Sequence, residues 1–278
     1  MFENCVIPVL HYGAGVWGLQ AHTCTQNVQN RAMRFYLGTH KLTPTLGMSG
    51  DLGWHSLYIF RQIDAIRLWN RFINMSNSRV NRKVFMWDYH QCSSNWSSEI
   101  KKMLYELDME EVFDDMHLCP ISDLSATLKG DSENSWKDKV KNKTKLRTYI
   151  TFKNKFGLEN YLKVNLDRTE RSLLAQLRLG ILPLHIETGR FNGTPEIERK
   201  CKLCNQDTIE NEMHFLLKCS KYQQERETLF RKATEVKLDF QNLLDCEKMY
   251  VLINDLCRQT AKFVKNAYFK RFFSINKN

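Results

Sequence analysis

Apolar residues recur along this chain at the three-and-four spacing of amphipathic helices. Ile59, Ile63, Ile66 and Ile73 form one such face, with Arg61, Arg67 and Arg71 between them and Ser56 placed to cap the start. A second helix is predicted from Thr25 to Leu37 through Val28, Ala32 and Phe35, stopping at Gly38. Between the two, the stretch from Thr43-Pro44 to Gly53 holds Gly47, Gly50 and Gly53 and reads as a loop. Further on, Thr169 can cap a helix that runs to Leu179 and ends at Gly180 and Pro183. Leu173, Leu174 and Leu177 share one face of it, and Arg168, Arg171 and Arg178 the other, which predicts a solvated arginine face. In the tail, Phe269, Phe272 and Phe273 fit an i, i+3, i+4 stripe that predicts a buried aromatic face. The polar, turn-rich stretches Asn74 to Arg82 and Leu128 to Ser135 are candidate boundaries. These patterns predict a mainly α protein.

The 278 residues suffice for two or three small domains. A hydrophobic content of 42%, with only twelve Gly and five Pro, excludes collagen-like, linker-like and strongly disordered chains. No stretch approaches the ~20 apolar residues that span a bilayer. From Met1 to Leu19 the chain is fairly apolar, but Glu3 and Asn4 stand where a signal peptide carries bases, and Pro8, His11 and Tyr12 interrupt it. The protein is therefore expected inside the cell, nuclear or cytoplasmic, without membrane attachment and not secreted. Nine Cys with a single C-x2-C pair suit a reducing compartment and metal binding better than a disulfide framework.

Charge adds a partner to this picture. Lys and Arg outnumber Asp and Glu by 41 to 31, and the excess is distributed in blocks. Ten acids between Trp96 and Ser135 face only Lys101, Lys102 and Lys129. The next block, Trp136 to Lys155, reverses this with eight bases against Asp138 alone. Beyond Asp255, Arg258, Lys262, Lys265, Lys270, Arg271 and Lys277 alternate with Phe263, Tyr268, Phe269, Phe272 and Phe273 and meet no acid. Bases among aromatics suit nucleic acid, because phosphates take the charge and bases stack on rings. Phosphate contacts are expected from Arg31, Arg34, Lys139, Lys141, Lys143, Lys145, Arg147, Lys153, Lys155, Arg168, Arg171, Arg178, Lys270 and Arg271.

One motif carries metal chemistry. Cys201, Cys204, His214 and Cys219 stand as C-x2-C-x9-H-x4-C. Three thiolates and an imidazole complete a tetrahedral set around structural Zn²⁺ and leave no open position for water. Asn211 to Cys219 reads as a helix that presents His214 and Cys219, with Phe215, Leu216 and Leu217 packed beside the ion. Glu210 and Glu212 flank the His, but not in the H-E-x-x-H order of a metalloprotease. His90-Gln-Cys92 and His117-Leu-Cys119 repeat an H-x-C that is no common zinc spacing, and Asp114-Asp115 reads as a solvated helix face. With no G-x-S-x-G, P-loop or G-x-G-x-x-G present, no residue is assigned a catalytic role.

Several strings in this order resemble the region after the catalytic palm of a non-LTR (LINE-type) retrotransposon reverse transcriptase. They are Val9-Leu-His-Tyr-Gly-Ala-Gly-Val-Trp-Gly18, Val28-Gln-Asn-Arg-Ala-Met-Arg-Phe-Tyr-Leu-Gly38 and Gly50-Asp-Leu-Gly-Trp54. Arg171 to Gly180, Ile186-Glu-Thr-Gly-Arg-Phe191 and the Cys/His run through Tyr222 are similar to the zinc-knuckle part of such polyproteins. The resemblance implies a thumb-like helical domain followed by a zinc-binding module; with the charge blocks and turn-rich stretches this gives a thumb-like helical domain over 1–80, an acidic helical region over 81–135, a basic linker and helix over 136–195, and a zinc-knuckle module with a basic C-terminal helix over 196–278. It implies RNA and/or DNA as partners. The F/Y-x-D-D palm is not among these residues, so no polymerase activity is expected of them by themselves. The rival expectations are a zinc-stapled protein-interaction module, and the C-terminal part of an active RNA-directed DNA polymerase polyprotein.

Overall fold

The protein is described by a computed structural model over residues 2–20 and 22–275; Met1 and Lys277 of the stretches named above lie outside them. It is mainly α. Nine helices of eight residues or more occur among the described residues: α1 (Thr23–Leu37), α2 (Thr45–Leu52), α3 (Leu57–Ile73), α4 (Val80–Gln91), α5 (Trp96–Tyr105), α6 (Ile121–Lys141), α7 (Arg168–Arg178), α8 (Gln223–Val236) and α9 (Cys257–Ile275). Strand pairing among them is confined to two isolated antiparallel bridges, Leu52 with Leu158 and Lys200 with Ile209.

Two compact units divide the chain, and neither is a continuous segment. The first comprises Met1–Ala32 with His55–Asn134, the second Met33–Trp54 with Ser135–Asn278. This replaces the expected divisions at 80 and 195. Asn74 to Arg82 is a short turn and the first residues of α4, inside the first unit, because Phe72 stacks on Phe85 and meets the edge of Trp96 across it. The division at 134 falls near an expected boundary, yet α6 runs through it unbroken. No division occurs at 195, because Leu174, Leu177 and Leu182 share one core with Phe215, Leu252 and Val264.

Within the first unit, Ser56 caps α3 by accepting from the Tyr58 amide at 3.3 Å. The inner face of α3 carries Ile59, Ile63, Ile66 and the fully buried Trp69, which stacks on Phe113 and donates to the His117 carbonyl.

In the second unit the glycine-rich stretch after Pro44 is α2, where a loop was expected. Its glycines serve close packing. A Cβ on Gly47 would stand 2.5 Å from the Leu179 side chain, and one on Gly50 2.5 Å from Trp136 and 2.7 Å from the Tyr149 hydroxyl. Alanine is the better helix former by up to ~1 kcal/mol, but overpacking here works against it. Gly50→Ala is expected to destabilise the protein by about 1–3 kcal/mol in urea unfolding; an unchanged or raised midpoint would contradict this packing role.

Asp167 caps α7 through a capping box with Glu170, in place of the Thr169 cap expected. The inner face of α9 is Phe263, Val264 and Ala267, whereas Phe269, Phe272 and Phe273 are exposed, which corrects the expected buried stripe. Among the described residues no helix is long and apolar enough to cross a membrane.

Candidate metal centre and nucleic-acid interface

Cys201 and Cys204 lie on a hairpin turn closed by the Lys200–Ile209 bridge, with the Cys201 amide donating to the Thr208 carbonyl at 2.8 Å. The second pair comes from a wide turn, residues His214–Lys218, in place of the α-helix expected from Asn211 to Cys219. Asn211 Oδ1 accepts from the His214 amide to start it, and the Cys219 amide closes it on the His214 carbonyl at 2.8 Å. An i→i−5 closure admits one more residue per turn than the α-helix, and it brings Cys219 back beside His214. Phe215, Leu216 and Leu217 point into the core.

These segments gather one potential donor atom from each of Cys201, Cys204, His214 and Cys219, all within 4.8 Å of one another. The chain thus gathers a Cys3His group that could hold a metal ion. Sγ of Cys201 and Cys219 are 3.9 Å apart, and Cys204 Sγ is 3.4 Å from His214 Nε2. Zn–S bonds of about 2.3 Å and a Zn–N bond of about 2.0 Å would set tetrahedral edges of roughly 3.8 Å and 3.5 Å, so the donor set fits. His214 Nδ1 lies 3.0 Å from Thr208 Oγ1, which fixes the ring and turns Nε2 towards the thiols. Arg226 is buried beside the site and donates to the carbonyls of Leu216 and Cys219 at 2.9 and 2.7 Å, tying the turn to α8. Without an ion, the hydrogen bond between Cys219 and Cys201 dominates both thiols, lowering the pKa of Cys201 and raising that of Cys219. A cation among the four donors would displace these protons.

Sequence spacing found all four donors. It did not find Thr208 or Arg226, whose roles depend on backbone closure. Glu210 and Glu212 are withdrawn from the site: Glu210 accepts both nitrogens of the Arg271 fork at 2.8 Å, and Glu212 pairs with Arg147. Asp114 accepts the Tyr105 hydroxyl at the end of a short surface helix.

Those ion pairs also redistribute the expected phosphate ligands. Arg178 is fully buried on Asp51 and Glu159, and Lys153 is buried on Glu159, so neither reaches solvent. Arg147 and Arg271 are held by the two glutamates just described, Lys145 by Glu187 and Lys270 by Glu225. The solvated arginine face expected of α7 therefore keeps Arg168 and, in part, Arg171 but loses Arg178; periodicity could not reveal a carboxylate at position 51. Lys139, Lys141, Lys143, Lys155, Arg168 and Arg31 are exposed, and Lys137 joins them on α6. Arg34 and Arg171 are half-buried.

Arg34 and Arg168 converge on a recess of about 500 Å³ in the second unit, shared with Phe35, Thr169, Ser172 and Tyr268. The Arg168 guanidinium sits 5.8 Å from the centre of the exposed Phe35 ring, and Arg34 Nε has no hydrogen-bond partner. Phe35 and Tyr268 were not singled out with the two arginines, although Phe35 is Arg34's neighbour in sequence. Ten of the 41 bases and thirteen of the 31 acids fall in the first unit, which makes it −3 and the second unit +13.

No protein-family model, curated protein or solved structure matches this chain.

Proposed function

We propose that the chain is a non-catalytic nucleic-acid-binding fragment related to the C-terminal region of non-LTR reverse transcriptases, with structural Zn²⁺ at Cys201, Cys204, His214 and Cys219. The observation that carries the reading is the +13 charge of the second unit, together with which of its bases stay in water. After Arg147, Lys153, Arg178 and Arg271 are subtracted, Lys137, Lys139, Lys141, Lys143, Lys155 and Arg168 remain exposed. The Arg34–Phe35–Arg168 recess adds an aromatic ring beside two guanidinium groups, a pairing that accepts a base against the ring and a phosphate on the cations. A closed Cys3His set suits zinc in a structural role, since no ligand position is left for substrate or water.

Binding to single-stranded RNA and duplex DNA is expected to be weakly sequence-specific and to weaken as salt rises. Changing Lys137, Lys139, Lys141 and Lys143 to Gln should flatten the slope of log K against log salt, by up to about 0.7 for each phosphate of a single strand that is no longer neutralised. Lys155 and Arg168 variants should behave alike. No measurable binding at about 50 mM salt would sink the reading.

The competing reading is a zinc-stapled interaction module, and it too has an observation in its favour. Seven of the expected phosphate ligands pair with carboxylates of their own unit, six of them below the surface or half-buried and Lys141 with Asp138 at an exposed site. Under that reading, the Lys→Gln series would leave the chain's interactions unchanged.

A further inference from the structure

We propose that the outward face of α4, in the first unit, docks an amphipathic helix of a partner protein whose apolar stripe is flanked by acidic residues. Helix α4 is apolar on two sides. Its inner side packs Phe85 and Tyr89 against Trp69. On the other side Val80, Val84 and Trp87 follow one another at i, i+4 and i+7, and they are 71%, 59% and 65% exposed. Three large apolar side chains left together in water on one helix face are more than scattered single exposures, so this stripe has the composition of an interface. Beside it lies a recess of about 270 Å³ walled by Val16, Leu68, Phe72, Val84, Phe85 and Trp96. An apolar cavity of about 150 Å³ holds a benzene-sized group, so the recess takes one large or two small side chains. A stripe at i, i+4, i+7 next to such a recess is the counterpart of an amphipathic helix.

The rim selects the occupant. Lys83 flanks the stripe on α4, Arg79 stands at the start of the helix, and Arg71 lies on the solvent side of Leu68 and Phe72 on α3; all three are exposed, with no ion pair among the described residues. Asp88, the acid at the recess, is already engaged by the Ser97 amide and hydroxyl at 2.9 and 2.6 Å. The surface is thus apolar with a basic rim inside a unit whose net charge is negative. In a two-fold pair the same patch meets itself, so both sides would bring Arg71, Arg79 and Lys83 and no unengaged carboxylate of the recess, which disfavours a second chain. β-Branched Val80 and Val84 offer little to a stacking nucleobase. A partner helix with Leu or Phe anchors and Glu or Asp beside them satisfies both the stripe and the rim.

Two labelled helical 18-residue peptides with the same Leu stripe, one flanked by Glu and one by Lys, test this by fluorescence anisotropy with the full chain. The Glu peptide should bind saturably and at least ten-fold more tightly than the Lys peptide. Val84→Glu, a change at an exposed site, should weaken it at least ten-fold, as should Trp87→Ala, with metal content and nucleic-acid affinity unchanged in both. Lys83→Glu should narrow the preference between the peptides. Equal binding of the two peptides, absence of binding, or binding that survives both Val84→Glu and Trp87→Ala would overturn the proposal. So would displacement of the Glu peptide by single-stranded RNA, or a dimer in sedimentation that Val84→Glu dissociates.

Discussion

Cys204→Ser is expected to lower bound metal from about one ion per chain to under about a tenth, and to lower the melting temperature of the second unit by roughly 10 °C. Serine does not ionise near neutral pH, so the variant keeps three donors where a tetrahedral ion needs four. Structural zinc supplies folding free energy directly, about 10–16 kcal/mol in isolated finger peptides. The effect here is smaller because Phe215, Leu216 and Cys219 also belong to a core that includes Phe263 and Tyr222. A net loss of about 4 kcal/mol corresponds to roughly 8–16 °C for a unit of this size. Cys204 is only half-buried, so the substitution opens no core cavity and its effect reports the lost ligand. Cys246→Ser, at an exposed thiol outside the cluster, is the matched control. Co²⁺ loaded into the native chain should give the intense visible bands of a tetrahedral thiolate site, and Cys204→Ser should lose them. Metal affinity should also fall as pH falls, because the ion competes with the proton held between Cys201 and Cys219. A full metal complement in Cys204→Ser would refute the ligand assignment.

The four donors were legible because metal ligation is written locally. Nineteen residues contain the whole motif, and its spacing constrains the chemistry before any tertiary contact forms. α3 was legible for a related reason, since a cap at Ser56 and isoleucines at helical spacing are both short-range signals. What failed to show were the features set by distant residues. Gly47 and Gly50 read as loop because glycine favours turns, yet here their missing side chains make room for Leu179, Leu146, Trp136 and Tyr149. Phe269, Phe272 and Phe273 have a helical period, but period alone does not say which face meets the core; Phe263, Val264 and Ala267 took that place. The discontinuous units were hidden in part: α1 carries the chain from one unit into the other without a turn or a change of composition, whereas within α6 the switch from acidic to basic residues near Ser135 does mark the passage.

Arg178 is the sharpest case, and it yields the second large expected effect: Asp51→Ala should cost about 3–5 kcal/mol of stability. Both residues are fully buried. Asp51 Oδ2 accepts from Arg178 Nε at 2.9 Å and Tyr161 OH at 3.0 Å, while Oδ1 accepts from Arg178 Nη2 at 3.0 Å and Tyr149 OH at 2.9 Å. Glu159 takes a further guanidinium bond at 2.7 Å and also pairs with Lys153, so two acids balance two bases. Burial alone would push the Arg178 pKa down; Asp51, then Glu159, more than reverse it, and the guanidinium is charged at every pH where the protein folds. Asp51→Ala leaves that charge desolvated with only part of its compensation, whereas Asp51→Ala/Arg178→Met removes both charges together. The double variant should therefore be less destabilised than the sum of the single ones by more than about 1 kcal/mol, a coupling that denaturant unfolding measures directly. Strict additivity would mean that the pair does not act as a unit. The same variants separate structure from binding: under conditions where Arg178→Met remains folded, its salt slope for RNA should equal that of the native chain. A flatter slope would return Arg178 to the phosphate ligands, and an unchanged one leaves binding to the bases that α6 and the Phe35 recess keep in water.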